Sequence, residues 1–457
     1  MSTAGIIAEY NPFHKGHLYQ IKEIRKTLNI EYVIIVMSGD FVQRGAPALF
    51  SKYDRTRMAL LGGADLVLEL PAAYSTASAE RFAMGGVQLL NRLGIVDYLS
   101  FGCETDTPGE ILEMAKLLVL EEPGFKEALR SHLASGDLFP AARMKAFFDA
   151  YPGADRKTMA GLFTEPNNIL GLEYCKALIR TGSRIRPAPL RRAGQGYHDT
   201  AFIPGSCASA SAIRDLLHTY LSCGENTADA LPVWRLPGDN SFACEKDAAD
   251  GVSVHRLPVY PSLARGKDIE EILSDTRLRD AIPETVFPIL GEALTNGRII
   301  FEEDLDGLLH YRLLMMKDDE ARDLLDVPED LVRRLRHLLP DYRGFLQFSE
   351  LLKTRNRTLA GIRRALIHIL LDIKKTDQPQ YCRVLGFRKS SSDLLHQIRA
   401  EGKCELIIKP SASASLRNDR SGLLASELYR SILLNKRSTP DEVLLRNELQ
   451  RSPVIIA

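Results

Sequence analysis

No stretch of 18 apolar residues occurs in the 457-residue chain, which leaves no candidate for a membrane-spanning helix. The first residues also lack the charged, apolar and small-residue succession of a secretory leader. Cysteine is sparse. The seven present form no CxxC pair, which argues against a zinc ribbon or a disulfide framework and for reduced thiols in a cytosol. The expectation is a soluble, cytoplasmic protein. Net charge is missing as well: Lys+Arg and Asp+Glu both total 59. That excludes a globally basic nucleic-acid coat but leaves room for a local basic patch. Repeats, low-complexity tracts and clusters with metal-ligand spacing are absent, so no metal site is expected. Apolar residues nonetheless make up 45% of the chain, enough for real cores, and the length suggests two or three domains.

The stretch Gly5 to His17, GIIAEYNPFHKGH, carries the strongest chemistry. Gly5, Ile6, Ile7 and Ala8 read as a buried strand that breaks at Asn11-Pro12, since the residue before proline avoids the α region. Leu18, Ile21, Ile24 and Leu28 then recur at helical spacing. His14 and His17 therefore fall where a strand hands over to a helix N-terminus. Such an end offers unpaired N–H groups and positive dipole to phosphate, and imidazoles there can donate to phosphoryl oxygens. Gly16 would let the backbone approach a ligand. His-x-Gly-His after a first strand resembles the signature of the nucleotidyltransferase superfamily, whose members attack the α-phosphate of a nucleotide.

Strand and helix patterns alternate from Gly5 to about Phe101. Apolar strands are expected at Tyr32–Met37, Leu66–Leu70 and Tyr98–Phe101, with helices around Lys52–Leu61 and Ala79–Leu93. This predicts an α/β fold: a doubly wound, parallel-sheet, Rossmann-like nucleotidyltransferase domain over residues 1–220, with a helical insertion at 108–151. A linker (221–267) and a mainly α-helical C-terminal region (268–457) follow, the latter with a small α/β end around Val384–Gly386 and Leu406–Ile408. Ligands in such sheets bind beyond the carboxyl ends of the strands, where Ser38-Gly39-Asp40 and Gly102-Cys103-Glu104 lie. Gly102 is either a turn glycine or backbone for a ligand to lie against.

Asn167 and Asn168 open a helical segment, EPNNILGLEYCKALI, and either cap it or read a nucleotide edge. After a strand at Arg186–Leu190 comes a polar loop, Arg191-Arg192-Ala193-Gly194-Gln195-Gly196-Tyr197-His198-Asp199, with phosphate-binding chemistry. Ser209 and Ser211 then begin a helix with Arg214 one turn in, a second phosphate cradle. It resembles the superfamily's second signature, with Ala208 and Ala210 in place of the usual side chains. Further on, residues 301–330 carry 11 acids against 3 bases, and residues 351–390 carry 10 Lys/Arg against 2 Asp. Arg355, Arg357, Arg363, Arg364, Lys374 and Lys375 are thus either a solvated face or a footprint for an RNA backbone.

Taken in order, GIIAEYNPFHKGH, SGDFVQRG, FGCE, EPNNILGLEY, RRAGQGYHD, SASAIR and RVLGF resemble the bacterial tRNA(Met) cytidine acetate ligase family. The resemblance implies an ATP-dependent ligase, with Mg²⁺ accompanying ATP. Acetate would be activated to acetyl-adenylate and its acetyl group passed to N4 of the wobble cytidine of elongator tRNA(Met). It implies ATP binding by Ile7, Ala8, Glu9, Tyr10, Asn11, Pro12, Phe13, His14, Lys15, Gly16, His17, Leu18, Tyr19 and Gln20. Gly102, Asn167, Asn168 and Arg192 would join them; the phosphate cradles described above add Ser209 and Ser211 and make His14, His17 and Arg214 the catalytic candidates. Asp40, Gln43 and Arg44 follow the second strand and are the candidates for holding acetate. The competing reading is an adenylyltransferase acting on a small phosphate or carboxylate substrate, although such enzymes are usually shorter.

Overall fold

The computed structural model describes residues 2–105, 107–153, 156–192, 208–222, 266–436 and 442–457. Five strands from the first half lie side by side: β1 (Thr3–Ala8), β2 (Tyr32–Ser38), β3 (Leu66–Leu70), β4 (Tyr98–Cys103) and β5 (Arg186–Arg191). Their order is β3-β2-β1-β4-β5, all parallel, with Ile6 beside Ile35 and Ile35 beside Val67. Alternation along each strand feeds two cores. Ile7, Ile34 and Val36 pack with Phe82, Val87 and Leu172 from the helices Ala79–Leu93 and Pro166–Arg180. Ile6, Val33 and Ile35 pack on the other face with Ile21, Ile24, Met58 and Leu60 from Lys15–Leu28 and Lys52–Leu61. Helices on both faces explain why these strands read as unbroken apolar runs.

Residues 109–150 form three helices, Gly109–Leu120, Pro123–Ala134 and Phe139–Ala150. The helices between residues 300 and 371 share a third core with Phe41, Ala72, Ala73 and Tyr429. The short strands at the C-terminal end continue the N-terminal sheet instead of forming one of their own. β6 (Cys382–Arg388) runs antiparallel beside β3, while β7 (Leu406–Ile407) and β8 (Val454–Ile456) flank β6. Pairing of β6 with β7 sets Cys382 opposite Leu406 and brings Cys404 alongside. These two cysteines are joined in a disulfide, with Cα atoms 6.4 Å apart. The expectation of reduced thiols throughout is therefore corrected. Cys103 and Cys175 are free and buried. Among the described residues, no helix is long and apolar enough to cross a membrane.

A buried cluster of charges joins the two ends of the chain. Lys52 Nζ lies 2.7 Å from Glu69, 2.6 Å from Glu448 and 3.7 Å from Asp40. Arg383 on β6 pairs with Glu448 and sits 3.6 Å from Glu69. The Tyr53 hydroxyl accepts from Arg383 at 2.9 Å and donates to Glu448 at 3.2 Å. Burial alone would raise the Glu448 pKa, but the Lys52 and Arg383 charges outweigh it and hold the carboxylate ionised. Removing one member of such a cluster leaves buried charge uncompensated, which costs about 3–5 kcal/mol. Glu448→Gln should lose about that much in urea unfolding, with the midpoint moving and the slope kept.

Candidate active site

β1 ends at Ala8, and the chain turns through a cis Asn11-Pro12 bond into the helix Lys15–Leu28. His14 is its N-cap, with extended backbone (φ −138°, ψ 175°). Two hydrogen bonds fix both imidazoles. The Gly16 N–H donates to His14 Nδ1 at 3.1 Å, and the His14 N–H donates to His17 Nδ1 at 3.2 Å. A nitrogen that accepts from the backbone carries no proton, so each neutral ring holds its hydrogen on Nε2. The rings stack with centroids 3.8 Å apart. Burial, reinforced by the Arg192 and Arg214 charges, pushes His14 down to about 3. Burial, the neighbouring His14 and Arg192 also lower His17. Both rings are therefore neutral at physiological pH. Gly16 also has a local reason: a Cβ there would meet His14 Cε1 at 2.9 Å. The glycine makes room for the cap.

The two histidines open into a cleft of about 190 Å³. Ile7, Ala8, Glu9, Tyr10, Asn11, Gly16, Tyr19 and Gln20 line it from the first strand and helix. Gly102, Asn167, Arg192, Ser209, Ser211, Arg214 and two of the acetate candidates, Gln43 and Arg44, complete the polar wall. The second cradle is bonded to the first: Arg214 donates to the Asn11 carbonyl and, at 2.8 Å, to Ser211 Oγ, which Arg44 also reaches at 3.4 Å. Ser209 Oγ accepts from the Ala212 N–H at 3.0 Å, so its hydroxyl caps the helix Ala210–Ser222. At Gly102 a Cβ would lie 3.1 Å from Arg192 Cγ, so the missing side chain gives that arginine its place.

Other expected residues lie elsewhere. Pro12, Phe13, Lys15 and Leu18 do not line the cleft, and Phe13 is wholly buried against Gly62. Asn168 is buried, accepting from the Glu104 and Thr105 N–H groups and donating to the Gly161 carbonyl. Neither asparagine caps its helix. Glu104 does so from outside, accepting from the Asn167 and Asn168 N–H groups. Asp40 also sits off the cleft, buried, and accepts from the Lys52 N–H at 2.9 Å. The loop with Gly194, Gly196, Tyr197, His198 and Asp199 lies outside the described residues. An apolar wall of Phe82, Phe101, Leu170, Tyr174 and Leu190 goes beyond what the motifs indicate. Phe101 and Leu190 adjoin or pair with Gly102, which is the one signal that could have located them.

A family profile described as HIGH Nucleotidyl Transferase matches residues 1–237 and 262–442. A tRNA(Met) cytidine acetate ligase of Acetivibrio thermocellus is 34% identical over 90% of this chain and 88% of its own length. One from Halothermothrix orenii is 33% identical, covering 94% and 92%. This chain belongs to the tRNA(Met) cytidine acetate ligase family. A crystal structure of Thermotoga maritima TmcAL bound with alpha-thio ATP superposes over the whole of both chains, with a TM-score of 0.79 at 25% identity. The apo form of that protein gives 0.81.

Within the family fold, the basic segment is unevenly placed. Arg355 and Lys374 are exposed. Arg357 is held by Asp330 at 2.6 Å, and Lys375 donates to the Arg322 carbonyl. Arg363 and Arg364 are half-buried in the helix Leu359–Leu370, whose backbone rests on Gly45, next to cleft residue Arg44. A direct check on the donor assignment is nitrogen NMR of labelled histidine. His14 should remain neutral and Nε2-protonated through the range in which an exposed histidine, with pKa about 6.5, titrates. Because its folded pKa lies below its unfolded one, the stability this contributes is lost as pH falls below about 6.5.

Proposed function

We propose that this chain activates acetate with ATP to acetyl-adenylate and transfers the acetyl group to N4 of the wobble cytidine of elongator tRNA(Met). The observation that carries the proposal is the pair of neutral, backbone-locked imidazoles beside Arg192 and Arg214 in the cleft, and the binding of alpha-thio ATP by the similar Thermotoga maritima TmcAL supports it. An acetate oxygen attacks the α-phosphorus, the bond to the β-phosphate oxygen breaks, and pyrophosphate leaves. Charge grows on the phosphoryl oxygens during that step, so the protein's contribution is positioning and preorganised donors. His14 and His17 donate through Nε2–H, and Arg192 and Arg214 hold the phosphates. Of the two acetate candidates that line the cleft, Gln43 and Arg44, Arg44 carries the charge that complements a carboxylate and is the one assigned to acetate. Mg²⁺, which would accompany ATP, would supply charge neutralisation of the phosphates and would need few protein ligands. Among the described residues, no group of three His, Cys, Asp or Glu is placed to hold a metal. The walls keep water from the acyl-adenylate until tRNA supplies the amine. An anticodon loop can splay out its cytosine at low cost.

Labelled acetate with ATP should acetylate a tRNA cytidine, read by mass spectrometry, whereas labelled acetyl-CoA without ATP should not. His17→Ala should slow acetate-dependent pyrophosphate exchange about 10²–10³-fold, the usual cost of one preorganised donor. The same change should cost only about 1 kcal/mol of stability. Normal exchange with a collapsed thermal midpoint would sink the assignment.

The proposed tRNA footprint is Arg355, Arg357, Arg363, Arg364, Lys374 and Lys375. Arg363→Ala with Arg364→Ala should weaken tRNA binding and flatten its log–log salt dependence by about one unit for each phosphate no longer neutralised. An unchanged slope in filter binding would mark the segment as solvated surface.

A further inference from the structure

Among the described residues Glu9 is the one carboxylate on a cleft wall that otherwise carries Arg44, Arg191, Arg192 and Arg214. Triphosphate has no use for an anion there. Yet Glu9 is firmly held: Oε1 accepts from the Gln43 N–H at 2.8 Å, and its main-chain carbonyl accepts from Arg55 at 2.6 Å. The Gln43 side chain is the natural companion. Among the described residues its buried Nε2 has no hydrogen-bond partner, and the residue lines the same cleft. One bond thus joins a fixed acceptor and an unsatisfied donor, and a buried donor left unmade is costly.

We infer that Glu9 and Gln43 read the Watson–Crick edge of the cytosine and that Glu9 takes the proton its N4 amine releases. The inference rests on the acetyl-transfer reading above. Cytosine presents an N4–H donor beside the N3 acceptor, which suits a carboxylate beside an amide N–H. Uracil presents the reverse, O4 beside N3–H, and would meet acceptor with acceptor. In the transfer step the N4 lone pair forms the C–N bond to the acetyl carbon. The C–O bond to the phosphate breaks, and its electron pair leaves on AMP. The N4 proton passes to a Glu9 carboxylate oxygen and then to solvent.

The test uses the full chain with ATP, Mg²⁺, acetate and tRNA(Met) transcript. Glu9→Gln keeps an acceptor for the Gln43 N–H while removing the base. The ratio of single-turnover acetyl transfer to acetate-dependent pyrophosphate exchange should fall about a hundredfold or more, as for loss of a general base. Gln43→Leu should reduce the preference for tRNA with cytidine over tRNA with uridine at the wobble position, measured by competition, about tenfold or more. Exchange and transfer falling in parallel in Glu9→Gln, with or without a raised Mg²⁺ requirement, would place Glu9 in adenylation and overturn the inference. If Glu9→Gln does not fold, the competition decides alone, and an unchanged preference overturns it. Absence of both activities in the unaltered chain would instead overturn the acetate ligase reading itself.

Discussion

Arg55 is fully buried, and its guanidinium donates to four main-chain carbonyls: Glu9 at 2.6 Å, Ser38 and Phe50 at 3.0 Å each, and Gly39. Three of them, those of Glu9, Ser38 and Gly39, lie where β1 and β2 end and the sheet no longer supplies partners, and the fourth, that of Phe50, lies just before the helix Lys52–Leu61. Left alone in the interior they would be orphaned acceptors, and such groups are rarely tolerated. Burial acts to strip the proton from Arg55, and Asp40 is the first charge that opposes it. Asp40 is itself fastened to the start of the helix Lys52–Leu61 through the Lys52 N–H. The carboxyl edge of the sheet is thus set by a charge placed where ordinary packing would put none. Every residue that β1 delivers to the cleft inherits its position from that bond set.

The other wall depends on a missing side chain. Gly45 adopts φ +76°, and a Cβ there would lie 2.4 Å from the Arg364 nitrogen. Close approach of main chain to main chain lets the turn between the short strands Phe41–Val42 and Ala46–Pro47 sit on the helix Leu359–Leu370. The Gln43–Arg44 wall is consequently braced by the half of the chain that carries the basic segment. The cleft wall and the proposed tRNA footprint thus meet at one main-chain contact.

Periodicity alone makes much of this legible. Lys52–Leu61 and Ala79–Leu93 are helices, and Leu66–Leu70 a strand, because apolar spacing and the Ser51 and Ser78 caps agree with the tertiary packing. The motif residues around His14 and His17 come together because a strand end and a helix start are adjacent in sequence. What is not legible depends on distant partners. Lys52 and Arg55 look like solvated charges on a helix, as such residues usually are, and only the folded chain reveals Glu448 or the strand-end carbonyls. Asn168 carries the right chemistry for a ligand, but the Glu104 turn folds back and occupies its amide. A short apolar run such as Val384–Gly386 shows that it is a strand without showing which sheet it joins or in which direction. The Cys382–Cys404 bridge is hidden for the same reason.

The charge cluster spanning Lys52, Glu69, Arg383 and Glu448 bears on how the chain is made. Tyr53 and Glu448 are 395 residues apart in sequence. On the ribosome, β1 to β3 emerge long before β6, so Lys52 and Glu69 must wait, wet and half-matched, while the helical half is still being translated. Contacts of such separation close slowly, and an unpaired β3 is an open edge in the meantime. A nascent chain of this kind needs shelter over that strand until its C-terminal strands arrive. A truncated product would expose the same edge permanently.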